Sequence, residues 1–175
     1  MAIIAKANNK EYPICPEGAW QAVCVDVIDM GVVKSNNPSW PDRQKVQIRW
    51  QVGLTYDYKD ENGDTHTRRH MIIQSYTLSL NEKASLRHDL EAWRGKKFSP
   101  EELKGFDLEK LIGANCQLGI IHNEGTDGKI YANISAIMPL TKGTEKLEAL
   151  DYVRVIDRKT EGEETTTEDG GDLPF

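Results

Sequence analysis

The stretch from Lys45 to Leu54 alternates without a break through Val52: Val46, Ile48, Trp50, Val52 and Leu54 are apolar, while Lys45, Gln47, Arg49 and Gln51 are polar. Successive side chains of a strand point to opposite faces, so a period of two commits this segment to a strand with one face in a core. Its other face carries cations and amides, with no acid among them. A chain built around such a strand is limited to β-rich architectures whose remaining elements cover the apolar side.

The flanking segments supply those elements. Residues 1–17 read as an irregular lead-in, because Pro13 and Pro16 prevent regular pairing. Residues 18–30 are rich in β-branched side chains and predict a long strand ending at Gly31. Residues 33–42 are turn-rich and hold one conspicuous aromatic, Trp40, between Pro38 and Pro41. A polar hairpin covers residues 56–64, where Asn62-Gly63 is a two-residue turn signal, and a third strand covers residues 67–80.

The period then changes. Ser79-Leu80-Asn81-Glu82 has the capping-box pattern, and Ala84, Leu86, Leu90 and Trp93 recur at helical spacing up to Gly95. A second box, Ser99-Pro100-Glu101-Glu102, opens a short helix, residues 106–112 add another turn, and Gly113 ends the helical region. Strands follow at 114–123 and 129–140. Residues 145–150 predict a last helical turn and residues 152–156 a short extended piece. The order β-β-β-α-β-β, dominated by strands with a helix between the third and fourth, is that of the OB-fold, a five-stranded Greek-key barrel.

Charge is the part of the composition that bears on function. The chain has 22 Lys plus Arg against 28 Asp plus Glu and a net charge of −6, but no basic residue follows Lys159. Glu161, Glu163, Glu164, Glu168, Asp169 and Asp172 lie beyond it and account for the whole imbalance. The expectation is a charge-balanced domain over residues 1–159 and an acidic tail over residues 160–175, whose composition cannot offset its ordering entropy. No apolar run approaches the ~18 residues of a membrane helix, and no signal peptide is expected. Cys15, Cys24 and Cys116 are too scattered for a disulfide framework, which suits a reducing cytoplasm and small buried side chains.

The tail ends in Asp172-Leu173-Pro174-Phe175. A solvating terminus gains nothing from an aliphatic residue, a rigid proline and a ring beside a carboxylate. Together they suit a small apolar pocket rimmed by Arg or Lys on a partner protein. The ending Glu168-Asp169-Gly170-Gly171-Asp172-Leu173-Pro174-Phe175 resembles the acidic tip of bacterial-type single-stranded DNA-binding proteins, with Gly170 and Gly171 standing where that pattern has acids. The body resembles a group of phage-encoded proteins of this size through Ala-Val-Cys-Val-Asp-Val-Ile-Asp (22–29), Tyr-Thr-Leu-Ser-Leu (76–80), Leu-Glu-Ala-Trp-Arg-Gly (90–95) and Gly-Phe-Asp-Leu (105–108). The resemblance implies an OB-fold that coats single-stranded DNA in the cytoplasm of a bacterial host, and a tip that recruits replication, recombination or repair proteins. No phrase matches the bacterial proteins' own DNA-binding domain, so their tetramer is not implied and homo-oligomerisation stays open.

Single-stranded DNA is held by a cationic groove that tracks phosphates and by rings on which bases stack, each base worth ~1–3 kcal/mol. In OB-folds the second and third strands and their flanking loops supply that surface. The matching residues are Lys34, Trp40 and Arg43 in the first loop, Lys45, Gln47 and Arg49 on the second strand, and Arg68, Arg69 and His70 on the third. Tyr56 and Tyr58 in the hairpin, and Tyr131 beside Lys129 on the last strand, offer further rings. Trp20, Trp50 and Trp93 fall on apolar periodicities and belong to the core. An alternating Lys/Gln/Arg face is also the pattern of a plain solvated sheet.

Two other readings compete with the coat protein. Pro41-Asp42 with Asp57-Tyr58-Lys59 has the residue types of a Mg²⁺-dependent nuclease, in which two acids hold the metal and the lysine steadies the attacking water. A protein-only adaptor would keep the tail and leave the basic face inert. His66, His70 and the cysteines fit no metal-ligand spacing, and His88 and His122 have no nucleophile context. The expectation is therefore a non-enzyme without metal or cofactor.

Overall fold

The computed structural model describes residues 12–158. The acidic segment 160–175, with Asp172, Leu173, Pro174 and Phe175, lies outside the described residues. Five strands, β1 (Gly18–Val33), β2 (Arg43–Lys59), β3 (Thr65–Thr77), β4 (Asn115–Glu124) and β5 (Ile130–Pro139), form one antiparallel sheet in the order β3-β2-β1-β4-β5. Two helices, α1 (Ser85–Arg94) and α2 (Pro100–Lys104), and a 3₁₀ turn at Leu108–Leu111 connect β3 to β4. β3 and β5, at the two ends of the strand order, approach each other along a seam, and α1 packs against both. The result is the five-stranded OB-fold barrel that the element order predicts. Among the described residues no helix is long and apolar enough to cross a membrane.

The core is the one the alternation in β2 calls for. Val46, Ile48, Trp50 and Val52 are buried, and Leu54 packs at the margin. Leu86, Leu90 and Trp93 of α1 close one end of the barrel, with the Trp50 and Trp93 rings 5.8 Å apart and the Trp93 indole N–H donating to the Asn115 carbonyl at 3.0 Å. Trp20 packs at the core edge and donates to the Pro16 carbonyl. Burial pushes the Cys24 thiol up to about 12 and raises Cys15 and Cys116, so all three behave as small apolar side chains.

Several local expectations are corrected. α1 begins at Ser85 rather than at the Ser79 box, with Ala84 as an N-cap that makes no side-chain bond. The Ser79 hydroxyl instead accepts the Asn81 N–H at 3.2 Å, and a turn from Asn81 to Ala84 spans the gap between the end of β3 and the barrel mouth. The second box forms as read: Ser99 Oγ accepts from Glu102 N–H, and Glu102 returns to Ser99 N–H. Arg94, 2.6 Å from that glutamate, lowers its carboxyl to about 2. The hairpin turn uses three residues, not two. Gly63, at a φ of 83°, follows a turn closed by its N–H to the Asp60 carbonyl, a left-handed position that glycine occupies without a Cβ clash.

β1 runs past Gly31 because a register shift between Asp29 and Gly31 absorbs the irregularity. A first shift, between Cys24 and Asp26, has a larger consequence. It leaves Val25 unpaired, so that Asp26 faces outward opposite Arg49 of β2. The β2 face that carries no acid of its own thus has one beside it.

Residues 145–150 form no helical turn. They run extended across the outside of β1 and β2 as a strap that ends in a 3₁₀ turn, Val155–Asp157, where the sequence pattern predicts an extended piece. Amide side chains of the sheet take both backbone groups of single strap residues. Asn115 accepts the Leu147 N–H at 2.8 Å and donates to its carbonyl at 3.0 Å; Gln51 does the same for Leu150 at 2.8 Å each. Gln21 donates to the Glu145 carbonyl at 2.7 Å. These bonds offer the backbone partners that a helix would otherwise supply. Gly53 lies beneath, where an added side-chain carbon would sit 3.1 Å from Leu147 Cδ1.

Candidate nucleic-acid interface

The loop between β1 and β2 is ordered by its own short polar side chains. Asp42 accepts the Ser35 N–H at 3.0 Å, Asn37 accepts the Ser39 N–H at 2.9 Å, and Trp40 N–H bonds to the Asn37 carbonyl at 3.0 Å. These turns present the Trp40 ring to solvent, 66% exposed. Beneath the loop lies a 640 Å³ cavity that brings together Lys34, Trp40, Arg43 and Lys45 with Thr77 of β3. A second groove of 570 Å³ continues from it over β3, sharing Arg43, Lys45 and Thr77 and adding Ser75, Asn81 and Lys83. No carboxylate lines either one. Among the described residues, Lys34, Arg43 and Lys45 make no ion pair. Lys83 carries no signal in the sequence, since it stands in the stretch that reads as the first turn of a helix.

Along β2 the outer face continues from Lys45 to Gln47 and Arg49, opposite Ser75 and the half-exposed Ile73 of β3. Arg49 Nε donates to Gln47 Oε1 at 2.8 Å, which aims the guanidinium along the strand. The free face ends there. Gln51 is 4% exposed and committed to the strap, and Tyr152 of the strap reaches Arg49. Behind it Asp26 is buried and accepts from the Tyr152 hydroxyl at 2.8 Å, the Val155 N–H at 2.9 Å and Arg154 Nε at 3.2 Å. Burial alone would raise the Asp26 carboxyl; the bonds from Val155, Tyr152 and Arg154 outweigh it and hold it below the ordinary value.

The remaining candidates do not join this face, because strand alternation separates neighbours. Arg69 points outward and donates to the strap carbonyl of Glu148 at 2.5 Å, next to Arg158, whose guanidinium lies over the Tyr152 ring. Arg68 and His70 point to the opposite side, where the Arg68 guanidinium lies over the Tyr58 ring and the His70 ring meets Tyr56. His70 is buried, and burial lowers its value, which favours the neutral ring. Tyr131 and Lys129 lie at the start of β5 and the turn before it, at the same end of the barrel, and Tyr131 joins Tyr56, Arg68 and His70 around a separate cleft. The nuclease pattern is also split. Asp42 precedes β2 and Asp57 lies near its far end, at most about 50 Å along the strand, and no group of His, Cys, Asp and Glu suited to a metal occurs among the described residues.

No family model matches the chain, and no curated protein matches it.

Proposed function

We propose that the protein is a non-enzymatic coat for single-stranded DNA, binding with little sequence preference through the β1–β2 loop and the outer face of β2 and β3. The observation that carries this reading is the pair of contiguous grooves, where four cations and the exposed Trp40 ring meet without a carboxylate in a chain of net charge −6. Such a surface suits phosphates that pass in sequence while bases stack on the ring. The acidic segment ending in Leu173-Pro174-Phe175 would recruit replication, recombination or repair proteins by docking its tip in an Arg- or Lys-rimmed pocket. The setting that goes with these roles is the cytoplasm of a bacterial host during phage replication.

Trp40 makes the reading measurable. Trp20, Trp50 and Trp93 are packed in or against the core, so oligo-dT is expected to quench the fluorescence of Trp40 alone. Trp40→Ala should abolish the quench and weaken binding roughly ten-fold, the worth of one stacked base. Matched duplex should bind more weakly at the same salt. Wild-type affinity in both Trp40→Ala and Arg49→Ala would discredit this face, and cleavage of DNA on adding Mg²⁺ would turn the reading to a nuclease.

A further inference from the structure

β3 is an edge strand. It has a ladder with β2 on one side, and on the other it faces the seam with β5. Consecutive residues on such a strand reach opposite sides of the sheet, and here both sides carry a cation: Arg69 outside, Arg68 inside. The outer groove beside the strap and the cleft at the seam are both lined by Arg68 and Met71, which point to opposite sides of β3. The two hollows therefore share a wall at the strand edge.

The seam cleft has a volume of 450 Å³, within the roughly 300–1,000 Å³ of small-molecule sites. Tyr12 and Tyr131 flank it, each about half exposed. Tyr131 is held in place by its hydroxyl bond to Asp127 at 2.5 Å, and Tyr56 by the His70 ring at 4.8 Å. Arg68 lines the cleft, and its guanidinium carbon lies 4.5 Å from the centroid of the Tyr58 ring. Rings fixed at the rim of an open hollow, with a guanidinium beside them, have the composition of a platform for a base and its phosphate.

We propose that this cleft takes one unstacked nucleotide of a bound single strand, its base against Tyr131 and Tyr56 and its phosphate at Arg68, as the strand turns around the edge of β3. This rests on the single-strand reading above and extends it to a second site on the other side of the sheet. The bases of a duplex are stacked and paired, so they cannot enter unless extruded. Only a single strand can make the turn.

The test is photo-crosslinking with oligo-dT in which one 5-iododeoxyuridine is moved along the strand, with adducts mapped by mass spectrometry. Adducts on Tyr131, Tyr56 or Tyr12 are expected from a restricted set of positions, and adducts on Trp40 from others. Tyr131→Ser, at an exposed edge position, should remove the cleft adducts and weaken binding roughly ten-fold, while Trp40→Ala should leave them in place. Adducts confined to Trp40, or wild-type affinity in Tyr131→Ser, overturn the cleft and leave the outer face standing. Failure of every oligonucleotide to bind overturns the single-strand reading itself, and the cleft with it.

Discussion

Replacing Arg43 and Lys45 together by alanine is expected to lower affinity for oligo-dT roughly a hundred-fold at low salt, since a hydrogen bond to a charged group is worth about 1.5–3 kcal/mol. Both side chains line both grooves, and neither has an acidic partner among the described residues that would already neutralise its charge. The salt dependence gives a sharper measure. Each phosphate neutralised on a single strand adds about 0.7 to the slope of log affinity against log salt, so the double variant should flatten that slope by about 1.4. Both positions are at the start of β2 with their side chains toward solvent or the groove, so thermal unfolding should be unchanged. An unaltered slope would mean that phosphates do not pass here.

The largest effect on stability is expected at Asp26. Asp26→Ala would leave the Tyr152 hydroxyl and the Val155 N–H without their acceptor beneath the strap, while Arg154 keeps Glu109 at 2.8 Å. Leaving a buried donor without its acceptor typically costs about 1–3 kcal/mol, and two are orphaned here. Chemical denaturation should show that loss, and limited proteolysis should open the chain within residues 145–158 first. The pH dependence has a definite sign. The folded carboxyl lies below its ordinary value of 3.8, so its contribution is complete above that value and fades as pH falls through the lower folded one. The stability gap between wild type and Asp26→Asn should therefore be constant near neutrality and narrow below about pH 4. A gap that persists in acid would show that packing, not the carboxylate, holds the strap.

Much of the barrel is legible in the sequence. The apolar side of β2, the helix face of Leu86, Leu90 and Trp93, and the box at Ser99–Glu102 all appear where the pattern puts them. The box at Ser79 misled because a capping pattern says what can start a helix, while the place where it starts depends on which side chains must reach the core. Trp40 was legible as an exposed ring because polar turn residues surround it. Lys83 was not, and neither was the division of Arg68, Arg69 and His70 between two sides of one strand.

The strand and helix periods, and with them the core face and the run of cations on β2, are properties of the sequence by itself. Side-chain direction in a strand or helix depends on neighbours two to four positions away, and such neighbours are written next to one another. Which outward side chains stay free was decided only by the tertiary structure. The strap that takes Gln51 and reaches Arg49 is fastened by bonds such as that between Gln51 and Leu150, 99 positions apart. The turn of β3 between two hollows likewise depends on β5 arriving from the far end of the sheet. Contacts of that range are set by how the barrel closes, and no local pattern encodes them.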